Sequence, residues 1–83
     1  MENLLSTFAA QFKAASLSSL VDSFNSQVGN YGWTSARAAY NKALMAEIIA
    51  RGVDVSAIHD GLFTLFKHHV ILDESSNKLV IVE

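Results

Sequence analysis

The amino-acid sequence predicts a single α+β domain, mainly α, with a three-helix core and a C-terminal two-stranded antiparallel β-hairpin. Apolar residues recur at helical spacing through the first half of the chain, and two β-branched runs flank a polar turn near its end. The chain has 83 residues, of which 51% are hydrophobic. Residues 1–83 therefore have room for one domain and one core.

The first helix is predicted over residues 3–15, where apolar side chains recur every three or four positions: Leu4, Leu5, Phe8, Phe12 and Ala15. The second helix is predicted over residues 18–28, after a serine-rich break. There Ser19 and Asp22 have the three-residue spacing of a capping box, in which side chains bind the unpaired amides of the first turn. Gly29 is expected to end this helix in a left-handed conformation.

The third helix is predicted to be the central one. It begins after a cap at Thr34 or Ser35 and runs to Arg51, where Gly52 ends it. Apolar residues occupy most of its circumference, which is typical of a helix surrounded by other elements. Its polar strip consists of Arg37, Asn41, Lys42 and Glu47. Because Glu47 lies four residues before Arg51, these two side chains are expected to form a solvated ion pair.

A short fourth helical element is predicted over residues 53–60. Asp54 or Ser56 is placed to cap it, because both side chains can accept hydrogen bonds from unpaired amides. At helical spacing Val55 and Ile58 then face inward. The sequence thus predicts three long helices and one short one before the hairpin.

Residues 62–69 fit either a helix or a strand, because both periodicities are present. The helix is preferred as far as Phe66. Beyond it, the β-branched runs 70–72 and 79–82 predict the two strands of the hairpin. Asn77 lies in the polar turn between them and suits its left-handed position.

Composition excludes several classes of protein. The chain contains no cysteine, so it has no disulfide framework, thiolate nucleophile or cysteine-ligated metal. No apolar run approaches the roughly 20 residues that span a bilayer, so we expect no membrane segment. The N-terminal residues lack the basic and apolar pattern of a signal peptide. A cytoplasmic location is therefore expected.

Chemistry-bearing residues form no catalytic or metal-binding motif. His68 and His69 are adjacent and point in different directions in either a helix or a strand, so at most one of them can join His59 at a metal. The serines and glycines match neither a nucleophile elbow nor a phosphate-binding loop. So short a chain is also not expected to enclose a cavity of a few hundred cubic ångströms. We expect no enzyme, no cofactor and no metal.

The surplus of apolar residues points to a different role. Charged residues make up only 17% of the chain, and the mean hydropathy is +0.26, so apolar side chains are expected at the surface. The sequence therefore predicts a small non-enzymatic protein-interaction or self-assembly module that binds a partner protein or itself as a homodimer. Candidate interaction residues are Phe12, Tyr31, Trp33, Val80 and Val82. The competing interpretation of the apolar surplus is a well-filled core in which alanines make up the count. For the loop, the competing interpretation is that Trp33 anchors it to the core.

An alternative follows from the order of the elements. Helices followed by a hairpin resemble winged-helix nucleic-acid-binding domains, at the level of element order alone. The basic residues available for that role are Arg37, Lys42, Lys67 and Lys78. A formal charge of −2 at pH 7 argues against it, because nucleic-acid binders carry a basic surface.

Overall fold

The computed structural model describes residues 4–29, 34–61 and 63–82. The elements follow one another as α1 (Leu4–Lys13), α2 (Leu17–Gln27), α3 (Ser35–Ala50), β1 (His69–Asp73) and β2 (Lys78–Val82). The strands pair as one antiparallel hairpin. This architecture confirms the α+β, mainly α class. In the described ranges, no helix combines the length and the apolar character that crossing a bilayer requires.

Side-chain caps define where the helices begin. The Ser19 N–H donates to the Ser16 hydroxyl oxygen at 3.1 Å. The cap of α2 is therefore Ser16, a serine of the predicted serine-rich break, and the capping box predicted at Ser19 is wrong. For α3, the Arg37 N–H donates to the Thr34 hydroxyl oxygen at 3.1 Å, which confirms the predicted start. Gly52 has φ +78° just beyond this helix, a conformation that suits glycine because it has no Cβ.

The hairpin places one apolar face against the helices. Val70 lies opposite Ile81, and Leu72 lies opposite Leu79, so these four side chains share a face. Val70 and Leu79 are fully buried in the core. Asn77 adopts φ +51° in the turn, as the sequence predicts.

The core lies between the three helices and the hairpin. Tyr40 of α3 packs edge-on against Phe8 and Phe12 of α1, with ring centroids 5.3 and 5.0 Å apart. Phe24 of α2 stacks on Phe66 at 4.8 Å. Apolar side chains from α2, α3, the segment that follows α3 and both strands fill the space between them: Leu20, Val21, Leu44, Ile48, Val53, Val55, Ile58, Val70 and Leu79. This arrangement makes α3 the central helix, as predicted.

The predicted fourth helical element is absent from the described residues between α3 and β1. The Asp54 N–H donates to the Asn77 carbonyl and the Leu79 N–H donates to the Asp54 carbonyl, both at 2.9 Å. Asp54 therefore forms a parallel bridge beside β2. A single turn follows, in which the His59 N–H donates to the Val55 carbonyl at 2.9 Å. Pairing with β2 replaces the helical hydrogen bonds that this segment would otherwise make.

The preference for helix as far as Phe66 is also wrong. Thr64 forms an isolated antiparallel bridge with His59, and the Leu65 N–H donates to the Ile58 carbonyl at 2.8 Å. Ile58 is buried, as predicted. The connector, defined here as residues 51–61 and 63–68, is thus an extended segment folded back on itself.

One amide side chain ties α2 to the hairpin. The Asn25 Nδ2 donates to the Val70 carbonyl at 2.9 Å, and the Asn25 Oδ1 accepts from the Val70 N–H at 2.8 Å. Asn25 thereby occupies the place of a neighbouring strand at the edge of β1 that β2 leaves open. Both backbone groups of Val70 are paired although they lie at a sheet edge.

A guanidinium joins the end of α3 to the end of α1. The predicted ion pair forms, with Arg51 Nε 2.9 Å from Glu47 Oε2. Arg51 Nη2 also donates to the carbonyls of Phe12 at 2.9 Å and Ala15 at 2.6 Å. The last carbonyls of a helix have no partner within it, so Arg51 caps α1 from another element.

Two turn carboxylates are stabilised in their ionised form. The backbone N–H of Ser56 donates to Asp54 and lowers the pKa of that carboxyl. The hydroxyl of Ser75 donates to Asp73 at 2.7 Å and lowers its pKa as well. Because both pKa values are lowered, the two ionised carboxylates stabilise the folded protein above the ordinary Asp pKa of about 3.9. This stabilisation is lost as the pH falls through the lowered pKa values.

We predict that Arg51→Met lowers the free energy of unfolding by about 1.5–3 kcal/mol, because it removes charge-assisted hydrogen bonds to the end of α1. Urea unfolding followed by circular dichroism measures this loss. The control is Lys42→Met, which removes an exposed cation from α3 and is expected to change stability by no more than about 0.5 kcal/mol. Equal effects of the two substitutions would contradict the capping role of Arg51.

We predict that Asn25→Asp destabilises the protein at neutral pH, because a carboxylate oxygen then faces the Val70 carbonyl and the donor is lost. Protonation of the new carboxylate restores a donor. The difference in the free energy of unfolding between wild type and variant therefore narrows as the pH falls toward about 3.9. Thermal melts across that range measure the effect. Gln11→Glu makes the same amide-to-acid change at an exposed position of α1 and serves as control. A deficit that is independent of pH would count against the paired geometry.

Candidate functional site

The structure does not bring the three described interaction residues, Phe12, Val80 and Val82, into one site. Tyr31 and Trp33 lie outside the described residues. Phe12 packs inside the core and is 5% exposed. Val80 and Val82 share the outer face of the hairpin, where Val82 is 42% exposed and Val80 is half-buried.

Two of the four basic residues considered for nucleic-acid binding lie against other polar groups. The Arg37 guanidinium donates to the side-chain oxygen of Gln27 at 2.8 Å and to its carbonyl at 3.1 Å, joining α3 to the end of α2. Lys78 lies directly opposite Asp73 in the hairpin. The other two lysines are exposed. None of these positions adds support to the nucleic-acid alternative, which stays a prediction.

A cavity of about 570 Å³ lies between α3 and the connector. Ligand pockets are commonly about 300–1,000 Å³, so this open cavity is larger than we expected of so short a chain. Its apolar lining comprises Ala38, Met45, Ala46, Ile49, Phe63 and Phe66. Its polar lining comprises Asn41, Lys42, His59 and Thr64. The His59 Nδ1 and the Thr64 hydroxyl lie 2.8 Å apart and pair with each other.

Asn41 is the unusual member of this lining. The residue is 5% exposed, and neither its amide oxygen nor its amide nitrogen has a hydrogen-bond partner in the described part of the chain. Buried polar groups are almost always paired, and each one left unpaired costs about 1–3 kcal/mol. We therefore expect Asn41 to lower the stability of the protein in this state.

Because asparagine is polar, sequence reasoning assigned Asn41 to the polar strip of α3. The position of Asn41 in the helix indicates instead that its side chain is buried. Asn41 precedes Met45 by four residues and Ile48 by seven, so a helix places all three on one face. Because Met45 and Ile48 belong to the core, this spacing puts the amide on the buried face.

Three large apolar side chains are exposed beside the cavity, and we call them the α3–connector face. Phe63 is 72% exposed, Leu65 is 61% exposed and Ile49 is 45% exposed. Phe63 lines the large cavity and also a second one of about 160 Å³, which Leu65 lines too. The three side chains thus surround two adjoining depressions.

Local backbone geometry explains this exposure. The Phe63 N–H donates to Asp60 Oδ1 at 2.8 Å, and Thr64 is held by its bridge to His59. In an extended segment successive side chains point to opposite sides. Thr64 is therefore half-buried, whereas Phe63 and Leu65 on either side of it project into solvent.

The arrangement offers binding chemistry: an apolar surface, two depressions and one unpaired amide. Across residues 4–29, 34–61 and 63–82, no three His, Cys, Asp or Glu side chains come together as a metal-binding cluster. Comparison with known proteins found no matching family model, no similar curated protein and no similar solved structure. The geometry of this face is therefore the basis for a function.

We predict that Asn41→Leu raises the free energy of unfolding by about 1–3 kcal/mol, because it replaces an unpaired buried amide by an apolar group of similar shape. The melting temperature would rise by about 4–8 °C for each kcal/mol. The matched control is Asn25→Leu, which removes an amide with two hydrogen bonds and is expected to destabilise the protein. If both substitutions destabilise it equally, the Asn41 amide is paired in solution.

Proposed function

We propose that this protein is a small, non-enzymatic cytoplasmic interaction module that binds an apolar segment of another protein through the α3–connector face. The exposure of Phe63 carries the proposal. Phenylalanine is among the residues most often buried, and aromatic side chains are enriched at protein interfaces. Leu65 and Ile49 extend the apolar surface on either side of it.

The extent of this face favours a protein segment over a small molecule. A ligand confined to the cavity of about 570 Å³ would leave Leu65 exposed, because Leu65 lines only the second cavity of the two. A segment of several residues can cross both depressions and cover Phe63 between them. Such coverage removes from water the side chains that are now most exposed.

The outer face of the hairpin is a weaker candidate for the same role. Ile71 and Val82 are exposed there, with Val80 beside them. The two strands contain no Phe, Tyr or Trp, whereas interface hot spots are enriched in aromatic and arginine side chains. The α3–connector face combines an aromatic anchor with adjoining cavities and is therefore preferred.

Site-specific photo-crosslinking tests the proposal. We predict that p-benzoylphenylalanine placed at Phe63 in cells that express the protein gives one dominant protein adduct. The same probe at Gln11, an exposed position on α1, is expected to give none. Mass spectrometry identifies the adduct, and an adduct of twice the chain mass would show that the partner is a second copy.

Leu65→Ser provides the second arm of this experiment. Because Leu65 is exposed, its replacement is expected to change stability by no more than about 0.5 kcal/mol while it weakens the adduct formed at position 63. Identical adducts at positions 63 and 11 would contradict the proposal. So would an adduct at position 63 that Leu65→Ser leaves unchanged.

A further inference from the structure

Asn25 of α2 and Asn41 of α3 differ in their hydrogen-bond partners. Asn25 pairs with both backbone groups of Val70, donating at 2.9 Å and accepting at 2.8 Å. Asn41 carries the same donor and acceptor and has no partner for either in the described residues. A side-chain amide is matched by a group that accepts and donates at neighbouring atoms, as the backbone of one extended residue does.

We infer that Asn41 pairs with the backbone N–H and carbonyl of one residue in the partner's segment, whose apolar side chain fills the cavity beside α3. This inference rests on the proposed function, because it names the chemistry of the segment that the α3–connector face binds. The partner residue is bound in an extended conformation, as Val70 is beside Asn25.

The surroundings of Asn41 fit this role. Of the described polar side chains that line the cavity, Thr64 and His59 already pair with each other, whereas the neutral amide of Asn41 is still available. Both of its polar atoms are shielded from solvent, so the amide must turn about its side-chain bonds to face the cavity that the residue lines. The apolar lining of Met45, Ile49 and Phe66 excludes water from the hydrogen bonds so formed.

The same amide then has opposite effects on the free and the bound protein. In the free protein it is buried without a partner among the described residues, which is unfavourable. In the complex it gains both partners, so the cost disappears on binding. Asn41→Leu should therefore stabilise the free protein and weaken the complex, a combination that a purely structural asparagine would not produce.

Two small probes test the hydrogen bonds directly. N-acetyl-leucine N-methylamide presents the N–H, the carbonyl and the side chain of one leucine residue, flanked by an acetyl carbonyl and a methylamide N–H. O-acetyl-leucic acid N-methylamide has the same shape, with an ester oxygen in place of that N–H. Each is titrated into ¹⁵N-labelled protein, with the Asn41 side-chain amide signals followed by NMR. We expect these signals to shift with the first probe, and the ester to bind about tenfold more weakly.

Three outcomes are then distinguishable with variants. If Asn41→Leu lowers the affinity for the amide probe about tenfold and Phe63→Ser lowers it for both probes, the inference holds. If Asn41→Leu binds the amide probe as tightly as wild type, or the Asn41 signals stay unshifted up to the solubility limit, it is overturned. If Phe63→Ser also leaves the binding of both probes unchanged, and Leu65→Ser leaves the adduct at position 63 unchanged, the proposed function fails with it.

Discussion

The hydrogen-bond pair between Asn25 and Val70 is the constraint on which the rest of this fold depends. A hairpin with two five-residue strands is marginal in water by itself. Here the open edge of β1 is paired by a side chain of α2, and the open edge of β2 is paired by Asp54 of the connector. The hairpin is therefore held at both edges while its inner face completes the core.

Holding the hairpin in this way determines the course of the connector. Its start is tied to α1 through Arg51 and to β2 through Asp54. The chain that follows makes one turn and folds back through the bridge between His59 and Thr64. Successive side chains of this extended segment point to opposite sides, so Phe63 projects into solvent beside α3. The exposed apolar face is thus a consequence of backbone pairing, and a helix in the same place would have distributed these side chains differently.

Asn25 and Asn41 carry the same side chain but differ in their contributions to the stability of the fold. Both are amides on helix faces that pack against other elements, but among the described residues only Asn25 has hydrogen-bond partners. Functional sites are the places where proteins tolerate locally unfavourable choices, because the cost is recovered when a ligand binds. Under the function proposed above, Asn41 and the exposed Phe63 both belong to that class.

Much of this architecture follows from local rules that a sequence displays. The helical stripes, the cap at Thr34, the ion pair of Glu47 with Arg51 and the turn at Asn77 each involve residues close together in the chain. Local propensity and spacing are sufficient to predict such features. The exposed surplus of apolar residues also follows from composition, although its location does not.

Tertiary structure alone decided the features that make up the site. Sequence reasoning placed a short helix where Asp54 pairs with β2, and it placed Asn41 on a polar strip. The deciding contacts join distant residues: Asn25 and Val70 are 45 positions apart, and Arg51 reaches the Phe12 carbonyl across 39. Chain-local patterns carry no information about such pairings, because their energy depends on which surfaces meet after the helices and the hairpin have packed.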